Sequence, residues 1–325
     1  MIKIKKVLIA NRGVPAVRVM NTCRDKRIKT VAIYSTPDRL AYHVFLADES
    51  IHIGEAPPLV SYLNMEKIIE TALKTGCDAI HPGWGFLAEN PDFAEMVESA
   101  GLIWVGPPPK VIRLVGDKIK AKKIAQRVNV PIIPGTFKVK SVKDILQWMK
   151  EEEITFPIMI KAAAGGGGKG MVKVDSEEEL PVALEKAKNE AKKAFGDERV
   201  LVEKYIERGR HIEVQICGDK EGNIVHLYER ECTIQRRNQK ILEEAPSPSI
   251  SESLRQEICY SALRLMRELE YYSVGTVEFL LDPKTKNYYF LEVNTRLQVE
   301  HGITELITGI DIVGLMFDIA EGKTI

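Results

Sequence analysis

The stretch FLEVNTRLQVEH, residues 290–301, alternates polar and apolar side chains with a period of two. The polar row consists of Glu292, Asn294, Arg296, Gln298 and Glu300. The other row consists of Val293, Thr295, Leu297 and Val299. Alternation of this kind is typical of an extended chain with one buried face. It therefore predicts a β-strand whose polar row faces either a binding site or solvent.

The preceding segment extends this strand into a predicted β-hairpin. In VEFLLDPKTKNYYFLEV, residues 277–293, two apolar runs flank the turn-forming DPKTKN. A turn centred near Thr285 places Glu278 opposite Glu292, and facing like charges destabilise a strand pair by up to about 1 kcal/mol. A raised carboxyl pKa, a basic side chain or a divalent cation would compensate. With Asn294, the two carboxylates offer hard oxygen ligands suited to Mg²⁺; a solvated face without a metal is the alternative.

The polar row after the hairpin also suggests an anion site. The Arg296 guanidinium pairs planar oxyanions in a bidentate manner. A small carboxylate-like anion held there would have Glu300 within reach as a general base. The alternative is an ion-pair ladder that carries no chemistry.

A glycine run, GGGGKG at 165–170, lies between two predicted strands. A P-loop needs a helix directly after G-K-[ST], but Lys169 is followed by Gly170 and a strand, so that motif is excluded. The remaining interpretation is a hairpin whose tip lacks side chains, which lets its N–H groups approach phosphate oxygens. Lys161, before the tip, would add a positive charge. A surface turn without a ligand is the alternative.

A local basic cluster occurs in ERECTIQRRNQKILEEAPSP, residues 229–248. Its members are Arg230, Arg236, Arg237 and Lys240. The alternation around it predicts a strand end that turns at an anion site. A solvated surface cluster is the alternative.

Bulk composition excludes several classes of function. The 46 basic residues balance 46 acidic ones, so the net charge indicates neither nucleic acid nor an anionic membrane as a partner. The five cysteines are far apart and form no C-x-x-C pair, which favours a reducing cytoplasm. The apolar run in MIKIKKVLIANRG is too short for a secretion signal or a membrane span and predicts a first strand.

Three units follow one another along the chain. The opening third alternates strand-like and helix-like runs, which predicts a parallel sheet with helices on both faces. The run GPPPK at 106–110 breaks this pattern, and DKIKAKKIAQRVNVP after it predicts a linking helix. A smaller unit with the glycine run starts near Ile132. From about residue 200 the pattern predicts a mostly antiparallel unit with helices at about 252–269 and 304–321.

Taken together, these segments resemble the biotin carboxylase family of the ATP-grasp superfamily along the whole chain. The segments that carry the resemblance are ANRG (10–13), HPGWGFLAEN (81–90), GDK (116–118), FPIMIKAAAGGGGKG (156–170), VEKYIE (202–207), RHIEVQ (210–215), IQRRNQK (234–240), EEAPSP (243–248), GTVEF (275–279) and FLEVNTRLQVEHGITE (290–305). Their combination, order and spacing make the resemblance highly specific.

The resemblance implies a mixed α/β and α+β fold, ATP-grasp with a doubly wound N-terminal domain. The implied divisions are the N-terminal α/β domain at 1–106, a linker helix at 107–132, a mobile lid at 133–203 and a C-terminal antiparallel-sheet domain at 204–325. Relatives continue well past the closing EGKTI, so the C-terminal domain is expected to be incomplete. The expected missing part includes an arginine that contacts biotin and much of the usual dimer surface.

Site residues follow from the motif positions of the family. The resemblance assigns to the ATP phosphates Lys118, Lys161, Gly167 and Gly168. It assigns to the rest of ATP Glu203, Lys204, Ile206, His211, Gln235, Asn238 and Leu280. It assigns to Mg²⁺, or to Mn²⁺ in its place, Glu278, Glu292 and Asn294. It assigns to bicarbonate Lys240, Arg296, Gln298 and the backbone of Val299, and it counts as catalytic Glu300, Arg296 and Lys240.

The implied activity is that of a ligase, ATP- and bicarbonate-dependent carboxylation of biotin on a carrier protein. Glu300 would deprotonate bicarbonate, which attacks the γ-phosphorus of ATP to give carboxyphosphate, and Arg296 would stabilise the biotin ureido oxyanion. The implied partners are a biotin carboxyl carrier protein or domain and a carboxyltransferase subunit. The full-length family also implies a homodimer.

The sequence departs from the family pattern at three places and leaves two other functions open. Val14-Pro15 replaces a frequent Glu-Ile, Asn238 a frequent histidine, and Gly302 a frequent proline. One alternative is another bicarbonate-phosphorylating ATP-grasp ligase similar to carbamoyl phosphate synthetase, which EVNTRLQVEH and HPGWGF disfavour. The other is a non-catalytic nucleotide-binding or assembly subunit. The final carboxyl acceptor, such as acetyl-CoA, propionyl-CoA or pyruvate, is not set by these residues.

Overall fold

A computed structural model describes residues 2–164 and 170–325, which contain three β-sheets. The first sheet is parallel with strand order β3-β2-β1-β4-β5, as the alternating pattern predicts. Its strands are β1 (Lys6–Ile9), β2 (Lys29–Ser35), β3 (Glu49–Gly54), β4 (Ala79–His81) and β5 (Ile103–Trp104). The helices of this region are α1 (Gly13–Lys26), α2 (Tyr42–Leu46), α3 (Met65–Lys74) and α4 (Pro91–Ser99).

Two helices, not one, connect the first sheet to the rest. They are α5 (Pro109–Val115) and α6 (Lys118–Arg127). The proline run that was predicted to interrupt the pattern instead opens α5, because proline at the first helical position loses no hydrogen bond. Asp117 begins α6 as predicted, since its side chain accepts hydrogen bonds from the Ile119 and Lys120 N–H groups.

The second sheet is antiparallel with strand order β6-β9-β7-β8. Its strands are β6 (Gly135–Thr136), β7 (Ile158–Ala162), β8 (Met171–Val174) and β9 (Val200–Lys204). Two helices accompany it, α7 (Val142–Glu151) and α8 (Leu180–Phe195). Pairing of β7 with β8 confirms that the glycine run joins two strands of a hairpin.

The third sheet is antiparallel with strand order β12-β11-β10-β13-β14. Its strands are β10 (Arg210–Gly218), β11 (Ile224–Arg236), β12 (Gln239–Glu244), β13 (Ser273–Leu281) and β14 (Tyr288–Asn294). Helix α9 (Glu252–Glu268) shares an apolar core with one face of this sheet, through residues such as Ile212, Val214 and Ile258. Side chains alternate along β10, so its polar residues lie on the opposite face.

The segment predicted as one helix at 304–321 forms two helices. They are α10 (His301–Thr308) and α11 (Ile312–Ala320). Gly309 ends α10 with φ of 73°, a conformation that glycine adopts without steric cost, and Asp311 caps α11. Apolar residues of α11, such as Phe317, share a core with β1 and α1, so the C-terminal segment packs on the first sheet. Among the described residues, no helix is long and apolar enough to cross a membrane.

Candidate active site

The β13–β14 hairpin aligns its two glutamates as predicted. Glu278 is the direct ladder partner of Glu292, and Thr276 is the partner of Asn294. The row continues across the third sheet, because Glu278 also pairs with Glu213 of β10, which pairs with Arg230 of β11. Directly paired residues of antiparallel strands project to the same face. Register alone therefore places four charged side chains in one line across four strands.

Lys240 of β12 compensates three carboxylates of this region. Its Nζ lies 2.5 Å from Glu213 Oε2, 2.8 Å from Glu278 Oε1 and 2.5 Å from Glu300 Oε1. Burial acts to lower the pKa of Lys240, but the negative charges of Glu278, Glu213 and Glu300 outweigh it and raise that pKa. Lys240 therefore stays a cation and brings the hairpin, β10 and the Glu300 loop together.

Arg230 holds the other side of Glu213. It is fully buried, and its Nε donates to Glu213 Oε1 at 2.6 Å. Its Nη atoms donate to Gln215 Oε1 at 2.7 Å, Gln298 Oε1 at 2.9 Å and Thr304 Oγ1 at 2.8 Å. One guanidinium thus fixes β10, the loop that carries Gln298, and helix α10.

Glu278 is surrounded by further donors. Its Oε2 lies 2.9 Å from His211 Nε2, and its Oε1 accepts from Asn294 Nδ2 at 2.8 Å and from Gln298 Nε2 at 3.2 Å. Burial acts to raise the Glu278 pKa, but the charges of His211 and Lys240 lower it well below its usual range. Glu278 is therefore an ionised carboxylate at neutral pH.

Glu292 has a different environment from its ladder partner. Burial and the nearby charge of Glu278 raise its pKa, and Lys118 Nζ, 3.8 Å from Glu292 Oε2, opposes this only in part. Glu292 borders a cavity of about 370 Å³ whose lining also includes Glu89, Lys118, Asn294 and Arg296. Carboxylate and amide oxygens beside a cavity are a suitable donor set for Mg²⁺, and a cation there would relieve the repulsion between Glu278 and Glu292.

The period-two prediction fails after Asn294, where β14 ends. Residues 295–300 form a loop, in which Thr295 and Leu297 are buried as the alternation predicts, but Val299 of the same row is 63% exposed. The cause is a contact distant in sequence: Glu89 accepts from the Thr295 N–H at 3.2 Å and from Arg296 Nε at 2.7 Å. This contact diverts the chain from the sheet, and the strand predicted to reach Glu300 is wrong beyond Asn294.

The loop nevertheless brings the predicted anion-binding groups to one place. Arg296 Nη2 donates to Asn294 Oδ1 at 3.1 Å, which connects the loop to the hairpin. Glu300 occupies the N-cap position of α10, and its carboxylate binds Lys240. Lys240 contacts both Glu278 and Glu300, Gln298 donates to Glu278, and Arg296 donates to Asn294, which itself donates to Glu278. All four groups are therefore connected to Glu278 through contacts of the hairpin and the loop.

A second buried cluster lies where the second sheet meets α6. Lys161 Nζ is 2.7 Å from Glu203 Oε2, and Lys122 Nζ is 2.7 Å from Glu203 Oε1. Burial acts to raise the Glu203 pKa, but the two lysine charges lower it to about 2. The Glu203 side chain is thus committed to the two lysines.

The other residues assigned to ATP lie on several elements of the second and third sheets and on the segments beside them. Ile206 is buried, Lys204 is exposed at the end of β9, and Leu280 of β13 is the ladder partner of His211. Gln235 Nε2 donates to the Cys232 carbonyl at 2.8 Å. Gly167 and Gly168 lie outside the described residues.

The predicted basic cluster does not form one surface. Arg230 and Lys240 bind Glu213, whereas Arg236 and Arg237 are exposed at the end of the β11–β12 hairpin. Arg237 and Asn238 form the turn with φ of 52° and 61°. Asparagine tolerates this left-handed conformation better than most residues, which gives Asn238 a structural role in the turn.

Sequence reasoning missed three contributors to the site: Glu213, Lys122 and Glu89. The sequence does contain a signal for Glu213. HIEVQI alternates polar and apolar residues, as a strand with one polar face does, and its polar row consists of His211, Glu213 and Gln215. Lys122 and Glu89 gave no such signal. Their partners are 81 and 207 residues away, respectively, in Glu203 and Arg296.

Two family profiles match consecutive parts of the chain. The profile described as "Biotin carboxylase, N-terminal domain" matches residues 3–112. The profile described as "Carbamoyl-phosphate synthase L chain, ATP binding domain" matches residues 117–325. Among solved structures, the biotin carboxylase–β-γ-ATP complex from Campylobacter jejuni matches with a TM-score of 0.96 at 42% identity, over 99% of this chain and 72% of that chain.

The chain belongs to the biotin carboxylase family. A second structure of this family is the biotin carboxylase domain of the 2-oxoglutarate carboxylase from Hydrogenobacter thermophilus, a dimer in complex with MgADP, ADP and bicarbonate. It matches with a TM-score of 0.95 at 47% identity, over 100% of this chain and 71% of that chain. These matches confirm the predicted mixed α/β class of the biotin carboxylase ATP-grasp structures.

Curated relatives of this biotin carboxylase chain are longer proteins. It is 50% identical over 319 residues to the propionyl-CoA carboxylase alpha chain of Ruegeria pomeroyi, covering 98% of this chain and 46% of that protein. It is 47% identical over 323 residues to the pyruvate carboxylase of Bacillus subtilis, covering 99% of this chain and 28% of that protein. The chain therefore spans less than half the length of these relatives.

Proposed function

We propose that this chain binds ATP, Mg²⁺ and bicarbonate for the carboxylation of biotin on a carrier protein, the first half-reaction of a biotin-dependent carboxylase. The observation that carries the proposal is the Lys240 ammonium, which joins Glu278 of the hairpin to Glu300 of the loop. One cation thus connects the proposed metal ligand with the proposed base. The relative solved with MgADP and bicarbonate supports the same combination of ligands.

Glu278, Glu292 and Asn294 would hold Mg²⁺. The fit rests on the ladder pairing of the two glutamates and on the cavity that Glu292 and Asn294 line. When bound, Mg²⁺ would offset negative charge on the ATP phosphates, as it does in phosphoryl transfer generally.

Lys118 and Lys161 would contact the ATP phosphates. Lys118 lies beside Glu292, and Lys161 is held by Glu203, so the two ammonium groups approach from α6 and from the second sheet. The proposal retains Gly167 and Gly168 for the phosphates, and Glu203, Lys204, Ile206, His211, Gln235, Asn238 and Leu280 for the rest of the nucleotide.

Bicarbonate would lie between Lys240 and Arg296, with Gln298 and the Val299 backbone as further donors. Glu300 would take the bicarbonate O–H proton on its carboxylate, and a bicarbonate oxygen would attack the γ-phosphorus as ADP leaves. The resulting carboxyphosphate would split into CO₂ and phosphate. The phosphate would accept the biotin N1′ proton, and N1′ would attack CO₂ while Arg296 stabilises the ureido oxygen.

The proposed organisation keeps the divisions 1–106, 107–132, 133–203 and 204–325, with the third part as a mobile lid. Separate apolar cores beneath the first and second sheets support this division. The proposed partners are a biotin carboxyl carrier protein or domain, a carboxyltransferase and a second copy of the chain. Five free, buried cysteines support a reducing compartment such as the cytoplasm.

The test is ATP cleavage by this chain joined at Ile325 to the C-terminal part of a related biotin carboxylase. We expect phosphate release that requires bicarbonate and increases with free biotin. Phosphate release that requires bicarbonate but does not increase with free biotin would indicate a carbamoyl-phosphate-synthetase-like ligase instead. Nucleotide binding without any bicarbonate-dependent cleavage would contradict the enzymatic proposal and favour a non-catalytic subunit.

A further inference from the structure

Lys122 is a buried cation that the proposed mechanism does not use. It follows Lys118 by four residues on α6, so the two side chains lie on the same face of the helix. Lys118 approaches Glu292 of the third sheet, whereas Lys122 contacts Glu203 of the second sheet. Lys118 of this face therefore reaches the third sheet, and Lys122 reaches the second sheet.

Lys122 and Lys161 share a single carboxylate. Each ammonium lies 2.7 Å from a different oxygen of Glu203, and the side chains of Lys122 and Glu203 are each 1% exposed. Because the low pKa of Glu203 keeps it ionised, the three groups contain two positive charges and one negative charge. The cluster thus has a surplus positive charge where water is largely excluded.

A further contact fixes Lys122 from the third sheet. Its Nζ donates to the Phe290 carbonyl of β14 at 3.2 Å. It also lies 5.9 Å from the centre of the Phe290 ring, within the range of a cation–π contact. Lys122 is therefore held independently of Lys161, and it occupies Oε1 of Glu203 while Oε2 faces Lys161.

We propose that Lys122 is a positioning residue for Lys161 in nucleotide binding, an inference that rests on the proposed function. Lys122 offsets the charge of Glu203, so that Glu203 orients Lys161 without cancelling its positive charge. An anionic phosphate then meets an ammonium group that is both oriented and uncompensated. In this role Lys122 would act through Glu203 and Lys161 and not by contacting the nucleotide.

The first test is calorimetric titration of MgADP into the chain and its variants. Lys122→Met leaves Glu203 to neutralise Lys161, and we expect the affinity for MgADP to fall roughly tenfold. Lys122→Arg keeps the charge and should bind within about threefold of the unchanged chain. The matched control is Lys123→Met, an exposed lysine of the same helix, which should bind within about twofold.

The second test separates charge from folding. Glu203 belongs to the proposed nucleotide site, so the double variant Lys122→Met/Glu203→Gln is compared with the single variant Glu203→Gln. Without the Glu203 charge there is nothing for Lys122 to offset, so these two variants should bind MgADP within about threefold of each other. A purely structural role predicts instead a further loss of affinity. If Lys122→Met does not fold, the double variant and Lys122→Arg carry the test.

In ATP cleavage by the joined protein, Lys122→Met should raise KM for ATP about tenfold and change kcat less than about threefold.

The outcomes distinguish the inference from the proposed function. Equal MgADP affinity of Lys122→Met and the unchanged chain, or an affinity of the double variant about tenfold weaker than that of Glu203→Gln, would overturn the role of Lys122. Failure of the unchanged chain itself to bind MgADP would overturn the proposed function.

Discussion

The third sheet and the second sheet each bury a cluster of charged side chains, but the two clusters have opposite compositions. On the third sheet and its adjoining loop, four carboxylates meet Arg230, Lys240 and His211, and Lys118 of α6 reaches one of them, Glu292, at 3.8 Å. The four carboxylates are those of Glu213, Glu278, Glu292 and Glu300. On the second sheet, one carboxylate meets two lysines. A surplus of acid favours a divalent cation, and a surplus of base favours an anion. In the proposed function, the two sheets would therefore divide between them the binding of a metal–nucleotide complex.

The two clusters also differ in how they are built. Ladder register assembles the acidic row, because Arg230, Glu213, Glu278 and Glu292 are successive partners on neighbouring strands. The basic cluster of the second sheet consists of Lys122, Lys161 and Glu203 and is separate from the arginines of β11. It depends instead on long lysine side chains that reach from α6 and β7 to one carboxylate. The acidic row should accordingly dominate stability, whereas the basic cluster should mainly tune affinity.

The largest expected effect is on the acidic row. Arg230→Met should lower the free energy of unfolding by about 3 to 5 kcal/mol, because Glu213 loses a fully buried partner. Urea denaturation measures this loss. Arg236→Met, on the same strand but exposed, is the control and should change stability by less than about 0.5 kcal/mol. Equal small losses in both variants would show that the row does not organise the sheet.

The next effect concerns the proposed base. Glu300→Gln should reduce bicarbonate-dependent ATP cleavage by at least about a hundredfold, the usual contribution of a general base. Its MgADP affinity should stay within about threefold of that of the unchanged chain, because Glu300 is the proposed base for bicarbonate and not a proposed ligand of the nucleotide or the metal. Steady-state phosphate release and calorimetry give the two values. Glu268→Gln, an exposed glutamate that ends α9, should change neither. Retained cleavage in Glu300→Gln would remove Glu300 from the mechanism.

The smallest effect is a pH dependence of the basic cluster. Burial lowers the pKa of Lys122 below its usual value of 10.5, with the Glu203 charge acting in the opposite direction. As the pH rises, Lys122 should lose its proton before an ordinary lysine does, and MgADP affinity should fall several-fold. Lys122→Arg should move this decline to higher pH, since guanidinium keeps its proton. Identical pH profiles for the two proteins would contradict the lowered pKa of Lys122.

The hairpin of the acidic row was predictable from sequence, because its signals are local. Alternation predicted the two strands and DPKTKN the turn between them. The pairing of Glu278 with Glu292 also depends on a register shift between Glu278 and Phe279, which the pattern did not predict, because Phe279 pairs with Phe290 and an unshifted ladder would place Glu278 opposite Leu291. The same alternation wrongly predicted that the strand continues beyond Asn294. Glu89 binds Thr295 and Arg296 from more than 200 residues away and ends the strand, which no local pattern could reveal.

The basic cluster was predictable only in part. Lys161 was predicted as a phosphate contact because it precedes the glycine run. Lys122 was not distinguished from its neighbours, because it is one of four lysines in KIKAKK at the start of α6. Helical spacing puts it three residues from Ile119 and three from Ala125, on the buried face, where a lysine is tolerated only with a partner. That partner, Glu203, lies on another element, 81 residues away, so no local pattern identified the pair.

The most direct measurement of the division between the two sheets is ADP affinity with and without Mg²⁺ in three proteins: the unchanged chain, Glu278→Gln and Lys161→Met. If the acidic row holds the metal and the basic cluster the phosphate, Mg²⁺ should strengthen ADP binding at least about tenfold in the unchanged chain. That enhancement should disappear in Glu278→Gln and persist in Lys161→Met, whose affinity is lower at every Mg²⁺ concentration. An enhancement that survives unchanged in Glu278→Gln would contradict the account.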